Sequence, residues 1–458
     1  MLERYHYYNY RAFSSLKPRI TRRITMVGWM FGAAFLATGS MGIDTSNSLS
    51  YQTFALLGCI LCTAVLGMRG RRLKMSVERT LPKFGSVGCR LNYEVTVRNN
   101  SRYTARGLNF YEKLPDPCPS FEEFALSREP YEHQRNWFDR SHRYYRWRWL
   151  LTRNVRVGAR ERVLPDIPAS QSRTIHADMI PLRRGVLRLD GSVVARTDPF
   201  GLFRSLHSVT APQNVLILPK LYNIPPFELP GSTRYQQGGV SLASSVGESE
   251  EFVSLREYRP GDPMRKMHWK SFAKAGKPIV KEFQDEFFVR HAMILDTFGD
   301  ALHMDIFEEA VSVAASLAFS MQNHDTLLDL MFVGPQAYCF TTGRGLAHMQ
   351  QMLEILASVQ LCLDKKFEAL EQSVLDHCSQ VSGAICIFLQ WDESRQRLVR
   401  ILSSRGIPLR VFVITEGEVK LDPGPLADQP GNFRVLPVGK IGERLTQPLP
   451  AVGMEKVA

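Results

Sequence analysis

The stretch Gly247 to Phe288 concentrates the side chains whose types could do chemistry. Acid–base groups occur there at Glu257, Asp262, His268 and Lys270. Proton transfer needs such groups within hydrogen-bond reach of one another and of a substrate. A membrane-bound hydrolase that uses Glu257, Asp262 and His268 is therefore one hypothesis.

The competing interpretation of the same stretch is a structural network of arginines and carboxylates. In that network Arg256, Arg259 and Arg265 pair with Glu248, Glu250, Glu251, Glu257 and Asp262 around a tight turn. The chain contains no G-x-S-x-G or H-E-x-x-H motif, and no nucleophile or metal cluster accompanies the acid–base groups. We therefore favour the structural network.

Two further groups of polar residues follow segments that are typical of buried strands. Asp296, Thr297 and Asp300 come directly after the apolar strand HAMIL, and Asp392 follows a later strand. Ligands of open α/β sheets bind beyond the carboxyl ends of the strands. These residues therefore mark the place where we expect a binding site.

A third candidate lies between Arg135 and Arg162, where basic and aromatic residues interleave. The residues concerned are Arg135, Arg140, Arg143, Arg146, Arg148, Arg153 and Arg156 with Trp137, Phe138, Tyr144, Trp147 and Trp149. Such residues can bind single-stranded nucleic acid. The alternation in YYRWRWLL instead favours a core-facing strand with its indoles on one face, so no nucleic-acid partner is expected.

Local patterns predict the elements that position the first candidate. Phe252 to Tyr258 alternates as a strand. Asp262 followed by Pro263 is typical of a helix start, and Gly276 of a helix end near Ala275.

The chain downstream of Arg290 alternates short apolar segments with amphipathic ones. Predicted strands cover 327–333, 384–389 and 409–414, and predicted helices cover 305–323, 346–361, 367–378 and 393–404. This alternation is typical of a mostly parallel sheet with helices on both faces. We predict a doubly wound α/β domain over 290–416 and an irregular C-terminal tail over 417–458.

The region 75–220 has strand patterns and turn residues. Apolar and polar residues alternate from Leu91 to Asn100, and the same pattern occurs over 186–194 and 215–218. The residues Asp198 to Gly201 are typical of a turn. An antiparallel β-sandwich-like domain is expected here, followed by a connecting segment over 221–289.

Composition excludes several classes of protein. The chain has 458 residues, 44% of them hydrophobic, 22% charged, and a net charge of +12. These are globular proportions, not those of a disordered chain or a small disulfide-stapled scaffold. The 8 Cys show no clustered pattern and suit a reducing compartment. No G-x-x-x-x-G-K-[ST] loop occurs, so no ATPase activity of its own is expected. We also expect no cofactor.

Two uncharged segments near the N-terminus are long enough to cross a membrane. They are Ile24 to Ile43 and Tyr51 to Met68, which form a predicted transmembrane helical hairpin over 24–68. Cations flank the hairpin in the basic segment 1–23 and again at Arg69 to Lys74. Since cytoplasmic flanks are enriched in cations, we expect both termini and the soluble domains in the cytoplasm.

Three features together resemble the bacterial family called domain of unknown function fifty-eight. They are the paired spans, RRGVLRLDGSVVARTDPFGLF at Arg183 to Phe203, and LREYRPGDPMRKMHWKSFAKAGKPIVKEF at Leu255 to Phe283. The motif residues are Arg256, Glu257, Tyr258, Pro260, Gly261, Asp262, Arg265, His268 and Trp269. The resemblance implies an α+β multidomain, membrane-anchored protein with a β-rich domain and a von Willebrand factor A-like domain. It also implies genes encoded beside MoxR-type AAA+ ATPases and transglutaminase-like membrane proteins, and no established reaction.

The A-type resemblance also raises the question of a metal site. The ion-dependent loop of such domains reads Asp-x-Ser-x-Ser, which suits Mg²⁺. In this chain, Phe298 and Asp300 stand where the two serines would be, after Asp296 and Thr297. A non-metal interaction surface is therefore expected there. The leading hypothesis is a non-enzymatic adaptor that docks a MoxR-type ATPase in envelope maintenance or complex assembly. A membrane-bound hydrolase and a basic nucleic-acid-binding membrane protein remain the alternatives.

Overall fold

The structure is a computed structural model. It describes residues 2–41, 48–69, 74–129, 132–225, 252–262, 264–283, 289–299, 304–321, 326–334, 337–342, 346–378 and 381–447. The chain forms two compact units. Unit 1 comprises Met1–Asn223, Thr297–Ser316 and Gln350–Leu363, and unit 2 comprises Ile224–Asp296, Leu317–Met349 and Asp364–Ala458.

Two β-sheets of unit 1 share one apolar core. The first sheet has the order β1 (Met75–Thr80), β3 (Leu91–Asn99), β7 (Ser172–Pro181), β5 (Val157–Ala159). The second has the order β2 (Phe84–Ser86), β9 (Arg204–Leu218), β8 (Gly185–Thr197), β4 (Leu108–Lys113), β6 (Arg162–Leu164). Alternate residues of β3 such as Val95 and Val97 are buried with Phe110 and Ile217 of the other sheet, as a half-buried strand pattern predicts.

A small helical cluster in unit 1 corrects the prediction of a strand in YYRWRWLL. It contains α1 (Leu2–Arg23), α4 (Phe121–Leu126), α5 (Trp137–His142) and α6 (Tyr144–Asn154). Trp147 and Leu150, three residues apart on α6, are buried together with Tyr7 and Phe124. The strand was wrong because the spacing of the buried residues is helical, and the aromatic partners come from distant parts of the chain.

Two apolar helices follow α1, namely α2 (Met26–Met41) and α3 (Ser48–Arg69). Phe35 of α2 stacks on Phe54 of α3 with ring centroids 4.5 Å apart. Among the described residues, one helical segment, Leu49–Met68, is both long and apolar enough to cross a membrane, and α2 is shorter at 16 residues. Parts of the predicted first span and of the connector, residues 42–47, lie outside the described residues.

Unit 2 contains a six-stranded, mostly parallel sheet, which confirms the mixed α/β character expected of this region. Its strands are β12 (Val289–Leu295), β13 (Thr326–Val333), β14 (Ala337–Thr342), β15 (Gly383–Phe388), β16 (Leu409–Thr415) and β17 (Phe433–Pro437). The order is β14-β13-β12-β15-β16-β17, and only the β13–β14 pair is antiparallel. The helices along this part of the chain are α8 (Met304–Ser320), α9 (Leu346–Ser358), α10 (Glu368–His377) and α11 (Glu393–Ser404).

The expectation of an irregular tail after residue 416 was wrong. β17 pairs in parallel with β16, and α12 (Ile441–Thr446) follows it with Ile441 and Leu445 buried. A five-residue strand carries little alternation of its own, and its pairing partner lies earlier in the chain. The signal is therefore mainly tertiary.

The motif residues of unit 2 form a separate two-stranded module. β10 (Phe252–Glu257) pairs antiparallel with β11 (Ile279–Phe283), and between them lie a 3-10 turn at Met264–Lys266 and α7 (Trp269–Ala275). The strand and the stop at Gly276, which has φ 65°, were predicted correctly. The helix begins later than predicted, at Trp269, because the carboxylate of Asp262 binds an arginine and closes a turn rather than capping a helix.

Candidate functional site

The turn at the tip of the motif module is held by Asp262. Its two carboxylate oxygens accept hydrogen bonds from Nη1 and Nη2 of Arg256 at 2.7 and 2.8 Å, and one also accepts from the backbone N of Arg259 at 2.9 Å. The hydrogen bonds from the Arg256 guanidinium and from the Arg259 amide lower the pKa of Asp262 to about 2. Gly261 supports the turn with a φ of 108°. Asp262 therefore acts as a structural acceptor.

Two other predicted acid–base groups of the motif, His268 and Glu257, have partners of their own. His268 lies at the N-cap of α7, where its Nδ1 is 2.6 Å from Oγ of Ser271. Glu257 faces Lys277 at 3.4 Å, and Lys270 is exposed on α7. Glu257, Asp262 and His268 thus contact three different groups, and the contacts described for them do not assemble a catalytic constellation.

The outer surface of the motif module is aromatic and basic. Met264 is 62% exposed and Trp269 is 59% exposed, although both are large apolar side chains. Between Leu255 and Phe283 the sequence has eight Lys and Arg residues and three carboxylates. Trp, Met and Arg are enriched at protein–protein interfaces. The module therefore presents large exposed apolar side chains among an excess of cations.

A second constellation lies in unit 2 at the carboxyl end of β12. The chain builds outward from β12 to β13 and β14, then crosses to β15 on the other side of β12. The strand order therefore reverses between β12 and β15, which is where doubly wound sheets form their ligand crevice. Asp296 directly follows β12, at the strand end where the sequence placed it, and is fully buried.

The carboxylate of Asp296 is bound by Arg395 of α11. Its Oδ2 accepts from Nε of Arg395 at 3.1 Å and from the backbone N of Leu389 at 3.2 Å, and its Oδ1 accepts from Nη2 of Arg395 at 3.3 Å. Nη1 of the same guanidinium donates to Asp392 at 2.6 Å. The guanidinium carbon lies 4.3 Å from the ring centroid of Phe367.

Arg395 is a residue that the sequence analysis missed. The one available signal was its position three residues after Asp392, where an Asp that caps a helix can also pair with an Arg side chain. Asp392 does cap α11, accepting from the backbone N of Arg395 at 3.0 Å. Its long-range partner Asp296 could not be predicted from local spacing.

These residues do not fit a resident Mg²⁺ ion of the kind that A-type domains hold. The guanidinium of Arg395 already supplies a positive charge to both oxygens of Asp296. Phe298 contributes a buried ring in place of a hydroxyl, and Asp300 lies outside the described residues. Within the part of the chain that the structure describes, no group of three or more His, Cys, Asp or Glu side chains could hold a metal.

A buried arginine in unit 1 was also missed. Arg184, immediately before β8, donates from Nε to the carbonyl of Leu356 at 3.1 Å and from Nη2 to that of Val359 at 2.6 Å. Leu356 lies in the last turn of α9, whose carbonyls lack partners within the helix, and Val359 directly follows that helix. Arg184 also pairs with Glu308, and burial lowers the pKa of the guanidinium. This Arg holds the end of α9.

The basic and aromatic stretch of unit 1 is partly consumed by internal contacts. Arg146 pairs with Glu132 at 2.5 Å, Arg135 pairs with Glu129 at 2.6 Å, and Nε1 of Trp147 donates to Oγ of Ser14 at 3.0 Å. Trp147 is buried and Trp137 is exposed. This stretch therefore offers fewer free stacking side chains than the sequence suggested.

Comparison with known proteins gives a family and a distant relative. Residues 254–423 match the model described as "Protein of unknown function DUF58". The uncharacterized protein YeaD of Bacillus subtilis (strain 168) is 32% identical over 126 residues, which is 27% of this chain and 31% of that protein. The chain thus matches about a third of that relative's length.

Similarity to solved structures is weak. A CARDB domain from Pyrococcus furiosus has 12% identity and a TM-score of 0.18 and is matched over 32% of this chain and 89% of its own. A cohesin module from a Clostridium perfringens family 33 glycoside hydrolase has 9% identity and a TM-score of 0.16, with 32% and 98% covered. At TM-scores this low, neither structure indicates the fold or the function of this chain.

Proposed function

We propose that this chain, which belongs to the DUF58 family through residues 254–423, is a non-enzymatic membrane adaptor that binds a protein partner. The observation that carries the proposal is the exposed, basic surface of the motif module around Met264 and Trp269. Large apolar side chains among cations are typical of the anchors of an interface.

The engagement of the acidic groups supports binding over catalysis. Asp262 is held by Arg256, and Asp296 by Arg395. Each of these carboxylates accepts hydrogen bonds on both oxygens from its arginine, which is the geometry of a structural ion pair. The proposal needs no cofactor and no metal ion.

The charge of the motif surface defines the chemistry of the partner. Eight cations against three carboxylates over Leu255 to Phe283 favour an acidic patch on the partner. A MoxR-type AAA+ ATPase is the partner that the family resemblance implies, with a transglutaminase-like membrane protein as a second. In this proposal unit 2 is a von Willebrand factor A-like domain, and its docking serves envelope maintenance or complex assembly.

The membrane part of the proposal places α2 and α3 across the inner membrane of a bacterium as two spans. The apolar segment Leu49–Met68 and the packing of Phe35 on Phe54 support it. Cations precede α2 at Arg22 and Arg23. By the enrichment of cations on cytoplasmic flanks, both termini and the soluble domains face the cytoplasm.

The test is crosslinking and affinity purification of the full-length protein from membranes, followed by mass spectrometry. Trp269→Ala should abolish recovery of the partner, whereas Trp137→Ala, which removes an even more exposed indole from unit 1, should leave it intact. Point variants are preferable to deletion, because segments 297–316 and 350–363 belong to unit 1. Unchanged recovery with Trp269→Ala would overturn docking through the motif surface.

His268→Ala separates the adaptor from the alternative hydrolase. His268 contacts Ser271 and lies at the start of α7. Loss of cellular function with unchanged folding and partner recovery would favour chemistry at this residue. Retained function, or loss that follows misfolding, supports the structural role.

A further inference from the structure

The turn between β8 and β9 is stabilised by hydrogen bonds to one of its own side chains. Asp198 is buried, and its carboxylate accepts from the backbone N of Phe200 at 3.0 Å and from that of Phe203 at 2.7 Å. Gly201 takes a φ of 75°, in the region that glycine favours. The segment Asp198–Phe203 is therefore a compact turn, which we call the DPFG turn.

The DPFG turn is bound to the beginning of α2. The backbone N of Thr25 donates to the carbonyl of Leu202 at 3.0 Å, and Oγ1 of Thr25 donates to the carbonyl of Gly201 at 2.6 Å. A Cβ on Gly28 would lie 2.2 Å from the carbonyl oxygen of Leu202. The first turn of α2 thus approaches the DPFG turn as closely as a glycine allows.

The same turn also reaches the end of α3. A Cβ on Gly67 would lie 3.8 Å from Cδ of Pro199. The two apolar helices run antiparallel, since Gly39 adjoins Phe54 and Gly58 adjoins Phe35. The DPFG turn therefore lies at the end of the helix pair where α2 begins and α3 finishes.

We infer that the DPFG turn is a lipid-contacting surface, with Phe200 inserted at the boundary between headgroups and acyl chains of the bilayer. Phe200 is 52% exposed, and the neighbouring Met26 and Val27 of α2 are exposed as well. Aromatic and apolar side chains beside cations are typical of membrane interfaces. Arg22 and Arg23 supply those cations.

The cations before α2 set the depth of the turn. Arg22 and Arg23 directly precede the apolar stretch that begins at Ile24, and cations flank the hydrocarbon layer rather than enter it. The first turn of α2 therefore lies at the membrane surface. The hydrogen bonds to Thr25 then hold the DPFG turn at the same level. This inference rests on the proposed membrane anchoring.

The test places the photocrosslinking residue p-benzoylphenylalanine at single positions of the full-length protein. The protein is irradiated in vesicles of phosphatidylethanolamine and phosphatidylglycerol, and lipid adducts are detected by mass spectrometry. The positions are Phe200, the exposed Leu56 on α3 and the exposed Val186. Val186 lies at the opposite end of β8, about 36 Å away along the strand at roughly 3.3 Å per residue.

The expected result is lipid adducts at positions 200 and 56 and no adduct at position 186. Adducts at 56 alone would overturn the lipid contact of Phe200 while leaving the membrane anchor in place. No adduct at 56 would instead overturn the anchor itself. Equal adducts at 200 and 186 would show that the contact is not specific to the DPFG turn and would overturn the inference.

A matched pair of glycine substitutions tests the connection between the turn and α2. Gly28→Ala should reduce the adduct yield at position 200, because its new methyl group meets the carbonyl of Leu202. Gly32→Ala on the same helix has nothing within 4 Å of its Cβ and should leave the yield unchanged. Equal yields in the two variants would contradict the docking of the turn onto α2.

Discussion

The Arg–carboxylate networks at Asp262 and at Asp296 use the same chemistry at different depths. Asp262 and Arg256 have side chains that are 17% and 34% exposed, whereas those of Asp296 and Arg395 are 0% and 7% exposed. Both carboxylates also accept a backbone N–H. The comparison suggests that the deeper pair maintains the sheet, while the shallower pair shapes a loop and leaves its neighbours available to a partner.

The largest expected effect comes from removing the cation of the buried pair. Arg395→Met leaves Asp296 charged and buried without its guanidinium, which typically costs about 3–5 kcal/mol. Hydrogen exchange of the β12 and β15 amides should accelerate accordingly. Arg400→Met on the same helix removes an arginine whose partner Glu393 is 78% exposed, and should change little. Equal acceleration in both variants would contradict the distinction between depths.

The next effect concerns binding rather than stability. Trp269→Ala should weaken binding to the captured partner by about 2 kcal/mol or more, roughly 30-fold, as for an aromatic interface anchor. Titration of the purified partner against the detergent-solubilised protein measures this loss. Unchanged melting would separate it from misfolding, and an affinity equal to that of Trp137→Ala would contradict the assignment.

The shallower pair should respond to acid. Because the pKa of Asp262 lies near 2 in the folded protein and near 3.9 in an unfolded chain, its stabilisation is complete above about pH 4. It is lost as the pH falls toward 2. The protection of the Arg259 amide, which is its exchange rate relative to that of an unstructured amide at the same pH, should fall in that window. Asp262→Asn should remove the dependence, and an unchanged profile in this variant would assign it to another group.

The smallest effect is expected for the exposed pair of Glu257 and Lys277. Their side chains are 73% and 71% exposed, so Glu257→Gln should change the unfolding free energy by less than about 0.5 kcal/mol. Thermal unfolding of the two proteins measures the difference. A loss comparable to that of Arg395→Met would break the ordering by burial.

Local patterns predicted the elements whose signals are local. The bounds of α11 agree with the prediction, and Asp296 lies at the end of β12 as its position in the sequence indicated. The role of Arg395 was not predicted because its partner Asp296 is 99 residues away in the sequence. α6 and β17 were not predicted because their buried faces pack against distant residues, as Trp147 packs against Tyr7. Tertiary contacts override weak local preference in such cases.

Arg184 has a consequence for how the molecule is made. The carbonyls that it binds belong to Leu356 and Val359, and unit 1 includes residues up to Leu363. When the β-rich region has been synthesised, some of the residues that it contacts have therefore not yet been synthesised. Much of unit 2 must be synthesised before unit 1 can complete its folding. During translation Arg184 therefore lacks these two carbonyl partners until the end of α9, some 170 residues later, has emerged.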